Sequence, residues 1–190
     1  MAGVACFADE AGSFTPCSRV CVAIVCFARE EGVGLERLGY RVAERIGALL
    51  GWRRGELKWR SVKKAARRRG VDPRRIALLV AESALAYAAA EGHLVSSAEA
   101  GELKLGLLVD ALTALRRCLE GLQPLTIILD ANLAPRPRRT LPRIRRLVGA
   151  SFVDMRDSAK HVGLQLADVY AGACAEGLVE AGSWCGKGRG

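Results

Sequence analysis

Apolar residues change their spacing along this chain in a way that marks out successive strands and helices. Val4–Ala8 is a short apolar block running into Asp9-Glu10-Ala11-Gly12, which predicts a first strand ending in a turn at Asp9. Val20–Ala28, rich in Val, Ile, Cys and Phe, predicts a buried second strand, and the Gly-Ser-Phe-Thr-Pro segment between the two suits a hairpin-like loop joining antiparallel neighbours. Leu35, Leu38, Val42, Ile46 and Leu49 then recur at helical spacing up to Gly51. Asp72-Pro73 offers a helix start, with Asp as cap and Pro at the first helical position. Ile76, Leu79, Val80, Ser83 and Tyr87 trace the face this helix is expected to bury.

Further on, His93–Ser97 is a possible short strand. Leu105, Leu108, Leu112, Leu115 and Leu119, three and four apart, predict the clearest amphipathic helix. Leu125–Leu129, an unbroken apolar run stopped by Asp130, reads as a central parallel strand covered on both faces. Arg136–Arg146, with Pro137 and Pro142, predicts a basic loop with at most one helical turn. Ser151–Met155 is a last strand and Gly163–Ala181 a final helix. Alternating strands and helices make the class α/β, with helices packed on a mixed sheet. At 190 residues, half of them apolar, the chain is expected to form one domain over residues 1–185, followed by a flexible basic tail at 186–190.

The formal charge of +9 changes the picture from a generic α/β domain to one suited to polyanions, with nucleic acid ahead of anionic membrane. Val20–Ala28, the longest apolar run, is far short of the ~20 residues that a membrane helix needs. The opening residues lack a basic segment ahead of a signal-like core, so a cytoplasmic location is expected. Seven cysteines form no C-x-x-C pair and no zinc spacing, and most fall in apolar segments as core residues. Asn occurs only at 132 and Gln only at 123 and 165. This scarcity of amides points to a thermophile, where cytosolic disulfides do occur, and leaves their pairing open.

Candidate chemistry begins with acids at strand ends. Asp9 and Asp130 close the first and the central strand, where α/β sheets form ligand sites, and an acid there is costly unless a cation or donors compensate. In the final helix, Gln165 and Asp168 are three apart and share a face, with Gly172 a turn further on. Ala167, Ala171 and Ala175 are small enough to let that helix sit close to the sheet.

Five segments in order, Asp9-Glu10-Ala11-Gly12, Glu56-Leu57-Lys58-Trp59, Ile128-Leu129-Asp130, Asp157-Ser158-Ala159-Lys160 and Gly163-Leu-Gln-Leu-Ala-Asp168, resemble the landmarks of an uncharacterised family, domain of unknown function 3800. Its first motif is usually Asp-Glu-Ser-Gly; Ala11 stands here in place of the Ser. The resemblance implies a ribonuclease H-like fold and a metal-dependent nuclease or a relative of one. By position it assigns Asp9, Asp130 and Asp168 as catalytic metal ligands, with Glu56 as the fourth acid. Mg²⁺ or Mn²⁺ suits such oxygen ligands, and two ions about 4 Å apart would clamp a phosphodiester in line.

The positive charge is localised beside these acids. Arg53, Arg54, Lys58, Arg60, Lys63, Lys64, Arg67, Arg68, Arg69, Arg74 and Arg75 form one block, and Arg136, Arg138, Arg139, Arg143, Arg145 and Arg146 a second. Together they hold 17 of the 29 basic residues, and the remaining chain is acidic, so a generally basic surface does not account for the pattern. Lys58, Arg67, Arg68, Arg69, Arg138, Arg139 and Gln165 are the expected substrate contacts, with Trp52 and Trp59 placed to stack on bases. The first reading is therefore a metal-dependent nuclease acting on RNA or DNA. Its alternatives are a non-catalytic nucleic-acid-binding module on the same fold and a subunit whose basic face docks an acidic protein.

Overall fold

A computed structural model describes residues 3–13, 15–52, 55–120, 122–134 and 136–185. Phe14 of the hairpin segment, Arg53 and Arg54 of the first basic block and the expected tail at 186–190 lie outside the described residues.

Six strands form one sheet: β1 (Val4–Gly12), β2 (Arg19–Ala28), β3 (Ala86–His93), β4 (Leu125–Asp130), β5 (Phe152–Arg156) and β6 (Gly182–Cys185), in the order β5-β4-β1-β2-β3-β6. β1 and β2 pair antiparallel, as the short connection between them requires. β4 runs parallel to both β1 and β5, which brings the carboxyl ends of all three to one edge. Period-two alternation gives each face its own core. Ala5, Phe7, Val25 and Ile128 pack under α1 (Tyr40–Leu50), α2 (Trp59–Arg68), α3 (Pro73–Ser83) and α6 (Val162–Ala175). Val4, Cys6, Ile24 and Leu129 pack under α4 (Ala100–Leu119) and α5 (Pro137–Val148). No helix among the described residues is long and apolar enough to cross a membrane.

Local chemistry explains the elements that were foreseen. The Asp72 side chain accepts the Arg74 N–H at 2.9 Å and Pro73 opens α3. Leu108, Leu112, Leu115 and Leu119 are buried along α4, and every residue of β4 is buried.

Several elements differ from expectation. β1 does not end at Asp9 but continues to Gly12, paired with Val20, so Asp9 is held by strand backbone rather than by a turn. Gly12 adopts φ 131°, and a Cβ there would stand 2.4 Å from the Arg19 carbonyl oxygen, which explains the glycine of the Asp-Glu-Ala-Gly run. The first helical segment is broken by Gly39 into a short 3₁₀ turn and α1. The face assigned to α3 overruns it: the helix stops at Ser83, and Tyr87 belongs to β3, which displaces the strand expected at His93–Ser97. Its alanines favour a helix by propensity, but Leu85 N–H bonds the Cys26 carbonyl at 2.8 Å and the chain zips onto the open edge of β2.

α2 carries a narrow apolar stripe of Trp59, Val62 and Ala66 among its basic residues. The segment read as basic loop is α5, which buries Thr140 and Ile144, starts on Pro137 and tolerates Pro142. The final helix ends at Ala175, and β6 follows at the sheet edge. Two disulfides join Cys6 to Cys26, opposite each other on β1 and β2, and Cys118 of α4 to Cys185 of β6. Their separations of 20 and 67 residues correspond to about 3 and about 4 kcal/mol of unfolded-chain entropy removed.

Candidate metal centre

The parallel register of β1 and β4 ends at Ala8 and Leu129, so Asp9 and Asp130 are the next residues of adjacent strands. Both side chains are on the face covered by α6, and both are almost fully buried, at 4% and 7% exposure. One oxygen each from Asp9, Glu10 and Asp130 lies within 4.8 Å of the others, a group able to hold a cation. Glu10 was not foreseen as a ligand. Strict alternation turns it toward the opposite face, where it pairs with Lys104 of α4 at 2.6 Å; only its length returns an oxygen to the Asp9 group. The adjacency of two acids in Asp9-Glu10 was the available signal.

The hydrogen bonds leave this group undersupplied. Asp9 Oδ1 accepts the Glu10 N–H at 2.8 Å, whereas Asp9 Oδ2 and Glu10 Oε2 are buried with no hydrogen-bond partner among the described residues. Asp130 Oδ2 accepts the Asn132 N–H at 3.1 Å and its amide at 3.3 Å. Burial first, and then the fields of Asp130, Asp168 and Glu10, push the Asp9 carboxyl up to about 9. Hard oxygen donors, buried, with Lys104 on Glu10 and oxygens of Asp9 and Glu10 still unpartnered, match the needs of a divalent cation.

Asp168 acts on the Asp9 carboxyl from outside this group, and Glu56 acts in turn on Asp168. Asp168 Oδ2 accepts the N–H of Trp59 at 2.6 Å, at the N-terminus of α2 where a carboxylate is favoured. Burial raises the Asp168 pKa; the Trp59 N–H and Lys58 oppose the rise, and Glu56 and Asp130 add to it. Glu56 Oε1 accepts from Ser158 Oγ at 3.0 Å and pairs with Lys58 Nζ at 3.1 Å, while Lys58 Nζ also donates to Ser158 Oγ at 2.7 Å.

Gln165 ties the surroundings together. Its Oε1 accepts the Leu57 N–H at 3.0 Å and its Nε2 donates to the Ser158 carbonyl at 3.0 Å. With both ends committed to backbone, Gln165, expected from the sequence as a substrate contact, joins the chain at Leu57 to that at Ser158. Trp59 is likewise unavailable for stacking on bases. It is buried against α6, with its indole N–H on Glu176 at 3.0 Å.

The expected arginine contacts fall in two places. α2 runs from Asp168 toward Glu176, where Lys63 pairs, so Arg67, Arg68 and Arg69 stand about 12–15 Å along the helix from Trp59, leading away from the acids. Arg138 and Arg139 are exposed in the first turn of α5, just after the β4 end that carries Asp130. Among the described residues, no ion pair involves the α5 arginines.

Solved structures of ribonucleases share this architecture. The chain matches ribonuclease H2 from Pyrococcus horikoshii OT3 with a TM-score of 0.52 at 16% identity, over 88% of this chain and 70% of that one. Ribonuclease HII from Archaeoglobus fulgidus, solved in a complex with PCNA, gives 0.53 at 15% identity, over 88% and 70% of the two chains. Bst-RNase HIII, solved in complex with Mn²⁺, gives 0.51 at 16% identity, over 90% of this chain and 51% of that one. The fold is ribonuclease H-like. At these identities the likeness carries the fold alone. No protein-family model and no curated protein matches the chain.

In this ribonuclease H-like frame the distance from α6 to α2 controls where Asp168 stands. A Cβ on Gly172 would lie 2.1 Å from Trp59 Cγ, so Gly172→Ala must displace the tryptophan whose N–H holds Asp168. The expected cost is about 1–3 kcal/mol by overpacking, read as a fall in Tm of several degrees. Gly106→Ala, in α4 with open space around it, is the control and should leave Tm unchanged or higher. Equal melting of Gly172→Ala and wild type would show that this contact is not tight.

Proposed function

We propose that the chain is a metal-dependent nuclease, a single ribonuclease H-like domain over residues 1–185 that cleaves phosphodiester bonds of RNA or DNA. The observation that carries this reading is the Asp9 carboxylate: buried, with Oδ2 unpartnered, and held with Glu10 and Asp130 within reach of one cation. Mg²⁺ or Mn²⁺ bound there would supply Lewis acidity toward a phosphate oxygen. The chain's own residues do the rest. Asp9, Glu10 and Asp130 bind the ion, with Asp168 and Glu56 shaping the field beside it. Gln165 fixes the backbone that carries Glu56 and Lys58. Arg138 and Arg139, in the first turn of the helix that follows β4, hold the nucleic-acid backbone by bidentate contacts to phosphate. Arg67, Arg68 and Arg69 engage only a longer substrate that follows α2. The order of the five sequence segments supports a divergent relative of the domain of unknown function 3800 family.

A binding module without catalysis is the second reading, favoured by two observations. Asp168 serves as a cap for α2, and Glu10 is already paired with Lys104. Cleavage of labelled single-stranded and duplex RNA and DNA in Mn²⁺ separates the two. Asp130→Asn should lower cleavage by at least about 100-fold, the scale on which removal of one key charge-stabilising group acts, while leaving affinity for nucleic acid intact or higher. A wild type that binds nucleic acid tightly, gains no stability from Mn²⁺ and never cuts would leave the binding module.

A further inference from the structure

We infer that Lys58 is the resident second cation of this centre, so that its acids hold one divalent ion beside an ammonium rather than two ions. The inference rests on the metal reading above and concerns how many ions the site takes.

The five carboxylates divide into two groups with different partners. Asp9, Glu10 and Asp130 converge within 4.8 Å and retain unpartnered buried oxygens, which leaves room for one ion. Glu56 and Asp168 do not join that group. Glu56 Oε1 is occupied by Lys58 Nζ at 3.1 Å and Ser158 Oγ at 3.0 Å, and Asp168 Oδ2 by the Trp59 N–H at 2.6 Å. An ion coordinated by Glu56 Oε1 at the ~2.1 Å that Mg²⁺ requires would stand next to the ammonium bonded to the same oxygen and be repelled by it. Position as well as pairing supports the substitution. The ammonium is bonded to Glu56 and Ser158, and the fields of Asp168 and Asp9 also reach it. It works as a compact point charge able to meet a phosphate oxygen.

The lysine is also held as a built component. Its backbone neighbours on both sides are clamped from α6, Leu57 by Gln165 and Trp59 by Asp168. Ser158, which receives the ammonium at 2.7 Å, has its own carbonyl bonded to the same Gln165. The Gln165 and Asp168 clamps thus fix the backbone on which lysine and serine stand, while the Lys58 side chain keeps 42% exposure on the side open to substrate.

The test counts ions on the full chain by isothermal titration calorimetry with Mn²⁺, checked by electron paramagnetic resonance of the bound Mn²⁺. Wild type should bind one Mn²⁺ per chain, with no spin coupling between ions. Lys58→Met keeps the length of the side chain but frees Glu56, and should bind two. Lys58→Arg, which restores the charge, should bind one. Neither change touches the Leu57 or Trp59 clamps, so both variants should melt close to wild type. Two Mn²⁺ per wild-type chain, or one in Lys58→Met, would overturn the role of the lysine and leave the metal reading standing. No Mn²⁺ bound by wild type would overturn both.

Discussion

Stripped of divalent cations, the protein should become less stable as pH rises from about 4 to about 9. The Asp9 carboxyl has its folded pKa raised from 3.8 to about 9, so across that window the folded state holds a proton that the unfolded state has released. Such a group contributes stability fully present below the unfolded value and lost progressively as pH climbs through the folded one. Asp168 is shifted in the same direction, mainly by burial, and adds to the slope. Saturating Mn²⁺ should reverse the trend, because a bound ion favours the ionised form and binds only the folded state. Net charge also changes with pH, so the decisive quantity is the difference between wild type and Asp9→Asn. This variant cannot ionise and should be the more stable protein without metal at pH 8, by several degrees in Tm. Thermal melts at pH 5, 6.5 and 8, with chelator and with Mn²⁺, measure this. A metal-free wild type that loses nothing to Asp9→Asn at pH 8 would mean that the carboxylate is satisfied by donors instead of waiting for a cation.

The same burial explains why the centre was only partly legible in the sequence. Asp9, Asp130 and Asp168 are legible because an acid at a strand end or on the packed side of a helix needs a partner, and all three are close enough to influence one another electrostatically. Glu10 is not legible as a ligand, since a period of two sends adjacent residues to opposite faces. The rule holds for its backbone and fails for its oxygen. Gln165 drew notice for the right reason, a buried amide, but its partners are backbone groups more than 100 residues away in one case, which no spacing reveals.

The elements follow a similar division. β1, β2, β4 and α4 were read from their spacing, and the start of α3 from its cap, because in each the local preference and the tertiary environment agree. β3 was missed because its alanines favour a helix while the open edge of β2 demands a strand. α2 and α5 bury only three and two residues, so dense arginine and lysine conceal their stripes. β6 is four exposed residues held by pairing to β3 and by the Cys118–Cys185 bond, both of which are long-range.

The positions of the arginines lead to the second large expected effect, on binding. In sequence the two basic blocks look equivalent; in the fold they are not. Arg136, Arg138 and Arg139 sit exposed at the start of α5, directly after the strand that presents Asp130, with no acid in that turn. Arg67, Arg68 and Arg69 are at the far end of α2, about 12–15 Å along the helix from its clamp on Asp168. A short nucleic acid held at the centre should therefore engage the first set and not the second. Each phosphate neutralised on duplex DNA contributes about 0.9 to the slope of log affinity against log salt. Replacing Arg136, Arg138 and Arg139 together with Gln should flatten that slope by about 2 to 3 units and weaken binding of a duplex of about ten base pairs by at least about 100-fold at low salt. Gln at Arg67, Arg68 and Arg69 should change both by less than a third as much on the short duplex. On one of about 25 base pairs its effect should grow, because the longer backbone can follow α2. Fluorescence anisotropy across a salt series, in calcium to hold the acids without turnover, reads both quantities. If the two triple variants lose affinity equally on the short duplex, the nucleic acid does not centre on Asp130, and the metal centre and the basic surface would have to serve different ligands.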